Sequence, residues 1–362
     1  MDAPLTNTDQ ATPKWLTGVL QKKGVLPHGE VVRVQQKPAQ PLITSLITHL
    51  ELSYSDDVPS SAPTRLFLKV AKPDLDRQIS SHLGKNEVEF YNTTVALMTD
   101  PPVVRCYDAV YSAETGRWHV LLEDVSDTHF QTEWPLPPSQ PHCEQVMACL
   151  AKFHAFWWEQ SRLGHGIGEL LTEASLRETF RDLEQRCVAF VDFLGDRLSL
   201  ERRNIYEKVL ASLPYVWQRY WRDRVATGRG LTLIHGDAHL WSFMYPHNPS
   251  TDTIRIIDWQ SWRIRRGTDD LAYMIALHWY PERRHALERD LIRLYHTELL
   301  RQGVKNYDWD ECWHDYRLSA IGNLFVPAWY WSTKLWAGLW WPHLERAMLA
   351  FQDLQCAELL AN

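Results

Sequence analysis

Three charged residues stand where the surrounding sequence is apolar. Lys69 lies inside the run LFLKV, Asp237 follows the strand-like LTLI in LIHGDAH, and Asp258 ends the run IRII in IRIIDWQ. A charge at the end of an apolar strand is costly to bury unless it is paired or binds a metal. Each residue alone is compatible with a structural ion pair. The three together, in this order, favour a shared chemical role.

Their residue types fit phosphoryl transfer from a nucleotide. That reaction uses a lysine on the α- and β-phosphates, held by a glutamate from a helix. It also uses one aspartate that orients and deprotonates the accepting hydroxyl and a second that carries Mg²⁺. The turn HNPSTD separates Asp237 from Asp258. A short strand hairpin is therefore expected to bring the two carboxylates together.

The first third of the chain has the patterns of β-strands. Alternating or continuous apolar residues predict strands in EVVRVQQ, SLITHLELSYS, RLFLKVAK, VVRCYDAVYS and WHVLLEDV. Thr12-Pro13 predicts the start of a short helix that ends near Gly24. A second helix is predicted over residues 86–98, NEVEFYNTTVALM.

After residue 127 the pattern becomes helical. Helical spacing appears in residues 142–160, 174–196, 200–225, 283–302 and 307–355. The exception is the segment from GLTLIHGDAH to TIRIIDWQ, which predicts an embedded hairpin. The chain is thus expected to join a β-rich part to a helical part near Glu123–Thr128.

Six segments carry a resemblance to a known family: LFLKV, NEVEFY, LLEDV, HGDAHLWS, IIDWQ and GTDDLAYMIAL. They resemble the aminoglycoside-phosphotransferase-like kinases, especially the branch with choline and ecdysteroid kinases, from about residue 30 to 345. The resemblance implies an α+β, protein-kinase-like bilobal fold. Residues 1–124 would form a nucleotide-binding lobe with a five-stranded antiparallel sheet and one helix. Residues 125–362 would form a helical lobe with the catalytic loop, the metal site and the acceptor pocket.

The resemblance also implies roles for individual residues, with ATP and Mg²⁺ as cofactors. Asp237 would be the catalytic base and Asp258 the main Mg²⁺ ligand. Lys69 would hold the α- and β-phosphates and pair with Glu87. Glu89 is the competing partner, and only one of the two can point inward because residues two apart do not share a helix face.

Other positions would contact the nucleotide through their backbone. Glu123 and Val125 would bind the adenine edge. Between the first two strands, KPAQPLITS contains no glycine. The amides of Leu42–Ser45, or the Ser45 hydroxyl, could still contact phosphates, because backbone N–H groups bind the anion. A plain strand turn is the alternative for this loop.

Ser242 departs from the family pattern, in which an asparagine supplies a metal ligand. A serine hydroxyl can ligate Mg²⁺ but is shorter, so we expect a catalytic and metal-binding role for Ser242 with a weaker second metal site. The substitution also leaves open a nucleotide-binding pseudokinase. Near it, His235 and His239 would brace the catalytic loop, and Asp270 would cap the following helix.

A different class of protein fits one fragment. His235, Asp237 and His239, together with Asp258, could ligate zinc in a metal-dependent hydrolase. That alternative needs a remote third histidine and leaves the pairing of Lys69 with Glu87 without a purpose.

The acceptor is expected to be a small molecule bound by the helical half. An apolar or singly charged alcohol fits better than a polycationic aminoglycoside, which would require a more acidic lining. Tryptophans at helical spacing are most often core residues, but here they could also form a wall or a cation–π cage. The candidates are Trp262, Trp279, Trp309, Trp313, Trp329, Trp331, Trp336, Trp340 and Trp341, with an acidic cluster of Asp308, Asp310, Glu311 and Asp315.

Composition excludes several classes. The 38 Lys and Arg against 45 Asp and Glu give a net charge of −7, which argues against nucleic-acid binding. The six cysteines contain no C-x-x-C pair, as is typical of a reducing compartment. No signal peptide is evident, and the apolar segment 326–341 is interrupted by Lys334 and too short for a span. We expect a cytoplasmic monomer or homodimer.

Overall fold

The structure is a computed structural model that describes residues 3–73, 77–133 and 135–360, without the side chains of residues 77–80. The chain forms two compact units. The first comprises Met1–Gln131 and Ser242–Trp262, and the second comprises Thr132–Trp241 and Arg263–Asn362. The segment 242–262 thus belongs to the first unit, and the division into lobes at residue 124 stays a prediction.

The described residues contain eleven strands and eleven α-helices. The strands are β1 (Val31–Gln36), β2 (Gln40–Pro41), β3 (Ser45–Tyr54), β4 (Arg65–Ala71), β5 (Cys106–Tyr111), β6 (Trp118–Glu123), β7 (His129–Phe130), β8 (Thr232–Ile234), β9 (Phe243–Pro246), β10 (Arg255–Ile256) and β11 (Arg263–Arg265). The helices are α1 (Pro13–Lys22), α2 (Arg77–Glu89), α3 (Gln140–Trp157), α4 (Glu173–Leu194), α5 (Leu200–Val216), α6 (Arg222–Thr227), α7 (Thr268–Ala272), α8 (Pro281–Arg301), α9 (Trp309–Gly322), α10 (Val326–Ser332) and α11 (Ala337–Asp353).

The main sheet of the first unit has the strand order β1-β3-β4-β6-β5, with the two-residue β2 beside β3, and every pair is antiparallel. In this register Lys69 on β4 lies between Ile47 on β3 and Val120 on β6. Residues directly opposite each other share a face of the sheet. Lys69 therefore projects from the same face as these two neighbours, on a central strand.

The opposite face of the sheet is closed by α1. The Thr12 side chain accepts a hydrogen bond from the Trp15 N–H, and Pro13 occupies the first helical position, as its sequence predicts. Leu16 and Leu20 of α1 share a core cluster with apolar strand residues on the face opposite Lys69, such as Leu68. Because this core occupies one face of β4, the Lys69 side chain lies on the other face.

Helix α2 begins at Arg77, nine residues before its predicted start, and the chain continues through a π-helical turn over Phe90–Thr94. The early turns are rich in polar residues, so apolar spacing gave no signal for them. Helix α2 packs closely on β6, where a Cβ on Gly84 would lie 1.9 Å from Cδ1 of Trp118. Only glycine allows this approach.

The strands near Asp237 and Asp258 do not pair with each other in the way that the predicted hairpin requires. β9 pairs with β10, and β7 adds to β9, all in the first unit. β8, the strand LTLI, pairs instead with β11 in the second unit. Asp237 thus belongs to the second unit and Asp258 to the first. The expected approach of their carboxylates stays a prediction.

Helices dominate the second unit, where α3 packs against α8 and α7 against α9. The helical pattern over residues 307–355 divides into α9, α10 and α11. The break after α10 includes Lys334 in the left-handed region (φ 62°), a backbone conformation that ends a helix. No helix in the described part of the chain is long and apolar enough to cross a membrane.

Candidate active site

Lys69 lies between two carboxylates of the first unit. Its Nζ is 2.8 Å from Oε2 of Glu87 and 2.5 Å from Oδ1 of Asp258. Lys69 and Glu87 are only 5% and 1% exposed, whereas the Asp258 side chain is 33% exposed. The ion pair between Lys69 and Glu87 is therefore present, and Asp258 is the member of the group that solvent can reach.

The electrostatics of this group keep Lys69 charged. Burial lowers the pKa of its ammonium, but the negative charges of Asp258 and Glu87 outweigh that effect and raise the pKa overall. Burial is also the main cause of the raised pKa of Glu87, which the Lys69 charge opposes. One cation thus balances two carboxylates, so the group carries an excess of negative charge when both acids are ionised.

Helix α2 also holds the segment that carries Asp258. The Trp262 indole N–H donates to the Asn86 carbonyl at 2.7 Å, and the Asn86 side chain donates to the Gln260 carbonyl at 3.3 Å. The rings of Phe90 and Trp259 stack with centroids 3.9 Å apart. Asn86 and Phe90 thus flank Glu87 on a helix that positions both acids of the group. Neither was selected from the sequence, because their partners are distant along the chain.

Asp258 itself adopts a left-handed backbone conformation (φ 68°, ψ 55°). Non-glycine residues rarely do so, and such conformations cluster at functional sites. Its carboxylate is a hard oxygen donor, and Mg²⁺ in nucleotide sites is bound through one or two carboxylates together with substrate phosphates. The residues of the group therefore fit a magnesium ion with Asp258 as the protein ligand.

Ser242 lies beside the strand that leads to Asp258, since its carbonyl accepts the Ile257 N–H at 3.0 Å. Ser242 is only 1% exposed. Its position next to the Asp258 segment agrees with a place at the metal site, but its burial makes Asp258 the more accessible oxygen donor. The metal role of Ser242 stays a prediction.

The segment after β6 presents one backbone donor. The Glu123 N–H donates to the Arg105 carbonyl at 2.8 Å, and the Val125 carbonyl accepts the N–H groups of Thr128 and His129. Within the described part of the chain, the Val125 N–H has no hydrogen-bond partner. Of these backbone groups, the Val125 N–H can thus donate a hydrogen bond to an adenine edge. The Glu123 N–H and the Val125 carbonyl already form hydrogen bonds within the protein.

The turn before β3 bears on the two alternatives for this loop, a phosphate contact or a plain strand turn. Ser45 is fully buried, and its hydroxyl has no partner among the described residues. The Leu42 N–H donates to the Ser45 carbonyl, which closes a tight turn, and Ile43 is exposed at its tip. The Thr44 hydroxyl donates to Oε1 of Gln260 at 3.3 Å. The structure therefore places this turn next to the Asp258 segment but does not expose the Ser45 hydroxyl.

In the second unit, Asp237 has a partner that sequence reasoning missed. The Tyr273 hydroxyl donates to Oδ1 of Asp237 at 2.7 Å and lies 2.8 Å from the Tyr330 hydroxyl. Burial and the Asp237 charge raise the pKa of Tyr273 well above its usual value. Tyr273 therefore stays a proton donor to Asp237 and accepts from Tyr330. The other carboxylate oxygen, Oδ2, is 3.8 Å from Nε2 of His239.

Asp270 does not cap the following helix, contrary to the sequence prediction. Its carboxylate accepts the N–H groups of His235 at 2.7 Å and Gly236 at 2.8 Å, and contacts Nε2 of His154 at 3.2 Å. Burial opposes its ionisation, but these donors lower the pKa overall. Asp270 lies within α7, so it fixes the backbone before Asp237 instead. His235 also braces this loop, because its Nδ1 accepts the Asp237 N–H at 3.2 Å.

The zinc-hydrolase alternative gains no support from these contacts. His235 directs Nδ1 to a backbone N–H of its own loop. No group of three or more His, Cys, Asp or Glu among residues 3–73, 77–133 and 135–360 has metal-holding geometry.

Three acids of the cluster and two of the tryptophans selected from the sequence have structural contacts. Asp308 caps α9, and Glu311 and Asp315 both bind Arg224. Trp309 and Trp313 stack on each other and on arginines of α8.

An apolar cavity of about 300 Å³ in the second unit has other aromatic residues in its wall. Its tryptophans are Trp217 and Trp221, which bound a π-helical turn after α5, and Tyr273 begins a second π-helical turn. Such turns are frequent at functional sites. Gly236, next to Asp237, also lines the cavity. The cavity thus reaches the residues that hold Asp237.

Comparison with known proteins identifies the family and the fold. The model of the ecdysteroid kinase-like family matches residues 43–305, and no curated protein matches the chain significantly. A candidate aminoglycoside phosphotransferase from Ralstonia eutropha JMP134 is 14% identical, with 96% of this chain and 99% of that chain covered and a TM-score of 0.56. The microcompartment-associated aminopropanol kinase is 13% identical, with 93% and 96% covered and a TM-score of 0.55. These likenesses confirm the expected α+β, protein-kinase-like bilobal fold.

Proposed function

Because this chain belongs to the ecdysteroid kinase-like family, we propose that it is a small-molecule kinase that transfers the γ-phosphate of ATP to a hydroxyl. The single observation that best supports this is the group of Lys69, Glu87 and Asp258. In it, the buried carboxylate of Glu87 and the accessible carboxylate of Asp258, whose backbone is left-handed, both lie within 2.8 Å of the Lys69 ammonium. Phosphoryl transfer needs this set of charges.

The first unit supplies the nucleotide-binding residues. Glu87 orients Lys69, whose ammonium binds the α- and β-phosphates, and the Val125 N–H donates to the adenine edge. Asp258, with Ser242 beside its strand, would hold Mg²⁺. A bound Mg²⁺ would neutralise charge on the phosphate oxygens. The backbone of the turn before Ser45, next to Gln260, contacts the phosphates, and a phosphate contact of the buried Ser45 hydroxyl stays a prediction.

The second unit supplies the acceptor-binding residues. Asp237, held through Oδ1 by Tyr273, accepts the proton of the acceptor hydroxyl through its other oxygen. The hydroxyl oxygen bonds to the γ-phosphorus as the bond from that phosphorus to the bridging oxygen breaks, which releases ADP. Asp270 and His235 keep the loop in place through backbone contacts.

The test is an ADP-release screen over hydroxylated small molecules, with Asp237→Ala as the inactive control. A base contributes about 10²–10⁴-fold to the rate, so an acceptor-dependent signal should fall by that factor in the variant. If the protein binds Mg·ATP but no acceptor releases ADP above background, the pseudokinase alternative, which Ser242 keeps open, replaces this proposal.

A further inference from the structure

The apolar cavity of the second unit contains a buried arginine with unused hydrogen-bonding capacity. Arg266 lines the cavity and is 3% exposed. Its Nε and Nη1 atoms have no hydrogen-bond partner among the described residues. Guanidinium donors are hydrogen-bonded to water in the unfolded chain, so a buried donor left unpaired destabilises the folded protein. A ligand that supplies acceptor oxygens would remove that cost.

The nearby carboxylates do not satisfy these donors. Nη2 of Arg266 is 3.6 Å from Asp269, and Nη1 is 3.9 Å from Asp315, both longer than hydrogen bonds. Asp269 accepts the Ser319 hydroxyl at 2.5 Å, and Asp315 accepts two donors from Arg224. These acids are therefore engaged elsewhere.

The charge of the wall favours an anion. Arg263, Arg265 and Arg266 all line the cavity. Burial is the main cause that lowers the pKa of Arg265 to about 10, and the neighbouring charges of Arg263 and Arg266 add to it while Asp269 opposes it. Even with this lowered pKa, the Arg265 guanidinium stays protonated at neutral pH. A second carboxylate in the wall, Asp270, is already bonded to His154 and two backbone N–H groups.

The rest of the cavity fits an apolar body. Trp221 packs under the Arg266 guanidinium, with 4.4 Å from its Cζ to the ring centroid, and aliphatic residues such as Leu183 and Leu213 line the remainder. Its volume of about 300 Å³ is at the small end of ligand pockets. Gly236 and Tyr273 in the wall connect it to Asp237.

We infer that the acceptor is an alcohol with an apolar body and a carboxylate, whose hydroxyl lies at Asp237 and whose carboxylate binds Arg266. This inference rests on the proposed kinase function for the hydroxyl end but not for the carboxylate end. A planar guanidinium is suited to bind a carboxylate through two parallel hydrogen bonds.

The experiment compares two probes that differ only at one end, 10-hydroxydecanoate and 1,10-decanediol. Binding to the Asp237→Asn variant is measured by isothermal titration calorimetry, and ADP release is measured with wild-type protein. A hydrogen bond to a charged group contributes about 1.5–3 kcal/mol, so the acid should bind roughly 10- to 150-fold more tightly than the diol. Arg266→Met, which keeps an apolar stem against Trp221, should remove that preference.

Arg293→Met is the matched control, because Arg293 also stacks on a tryptophan, 4.2 Å above Trp309, but does not line the cavity. It should keep the preference for the acid. Equal or tighter binding of the diol, or no binding of the acid, overturns the inference even if Arg266→Met fails to fold. If the acid binds through Arg266 but releases no ADP, the inferred placement of its hydroxyl at Asp237 is overturned and the carboxylate site stands. The kinase proposal itself fails only if the wider acceptor screen also releases no ADP.

Discussion

Replacing Lys69 by methionine should destabilise the protein, because Glu87 would then be a buried carboxylate without its cation. Glu87 is 1% exposed and lies 2.8 Å from the Lys69 ammonium. Removing one partner of a buried ion pair costs about 3–5 kcal/mol. Asp258 is one-third exposed, so water can replace its lost contact. The expected loss therefore comes almost entirely from Glu87.

A double-mutant cycle measures this coupling. The variants Lys69→Met, Glu87→Met and the double variant are compared by urea unfolding followed by circular dichroism. Replacing both partners by apolar side chains of similar size is often neutral or stabilising, so the double variant should recover most of the free energy of unfolding that Lys69→Met loses. A loss below about 1 kcal/mol in Lys69→Met, or no recovery in the double variant, would refute the reasoning.

The pH dependence of Lys69→Met gives an independent check. Without its cation, Glu87 has a folded-state pKa above the unfolded value of about 4.3. The folded state then binds more protons than the unfolded state between those two pKa values, so the penalty is full above the raised pKa and disappears below about pH 4. A penalty that is constant from pH 4 to pH 8 would contradict the assignment to Glu87.

Three further outcomes are expected. Gly84→Ala should cost about 1–3 kcal/mol of stability, because its Cβ would clash with Trp118. Gly18→Ala in α1 has open space around it and should stabilise the protein by up to about 1 kcal/mol. Equal changes in the thermal unfolding temperature of the two variants would contradict the packing of Gly84 against Trp118. Ser242→Asn should raise turnover and Mg²⁺ affinity in a magnesium titration, and a less active variant would overturn the predicted role. Burial lowers the pKa of His343 to about 4, so the stability contributed by its neutral imidazole is complete above about pH 6.5. That contribution is lost as the pH falls toward 4, by at most about 3 kcal/mol. Thermal unfolding of His343→Gln should therefore be less sensitive to acid than that of the wild type, and an unchanged pH profile would be inconsistent with a buried neutral imidazole.

The sequence predicted the features that depend on local patterns. The five long strands of the sheet and the cap of α1 follow from apolar periodicity and capping residues. The pairing of Lys69 with Glu87 was expected from the family resemblance, since the faces of a helix show only that Glu87 and Glu89 cannot both point inward. Motif spacing found Asp237 and Asp258. The strained backbone of Asp258 had no sequence signal beyond its residue type.

What the sequence did not predict depends on partners far along the chain. β8 could pair with any free strand edge, and its pairing with β11 instead of β9 has no local signature. Asp270 looked like a helix cap because aspartates are common there, but its partners are 34 and 35 residues away. The cavity is lined by Trp217 and Trp221, which local pattern could not separate from the many core tryptophans.

The most direct test of the account is calorimetric titration of ATP into the wild-type protein, Asp237→Asn and Asp258→Asn, with and without Mg²⁺. The account predicts Mg²⁺-dependent binding in the wild type and in Asp237→Asn, and loss of that dependence in Asp258→Asn. Binding that is independent of Mg²⁺ in the wild type, or unchanged in Asp258→Asn, would contradict it.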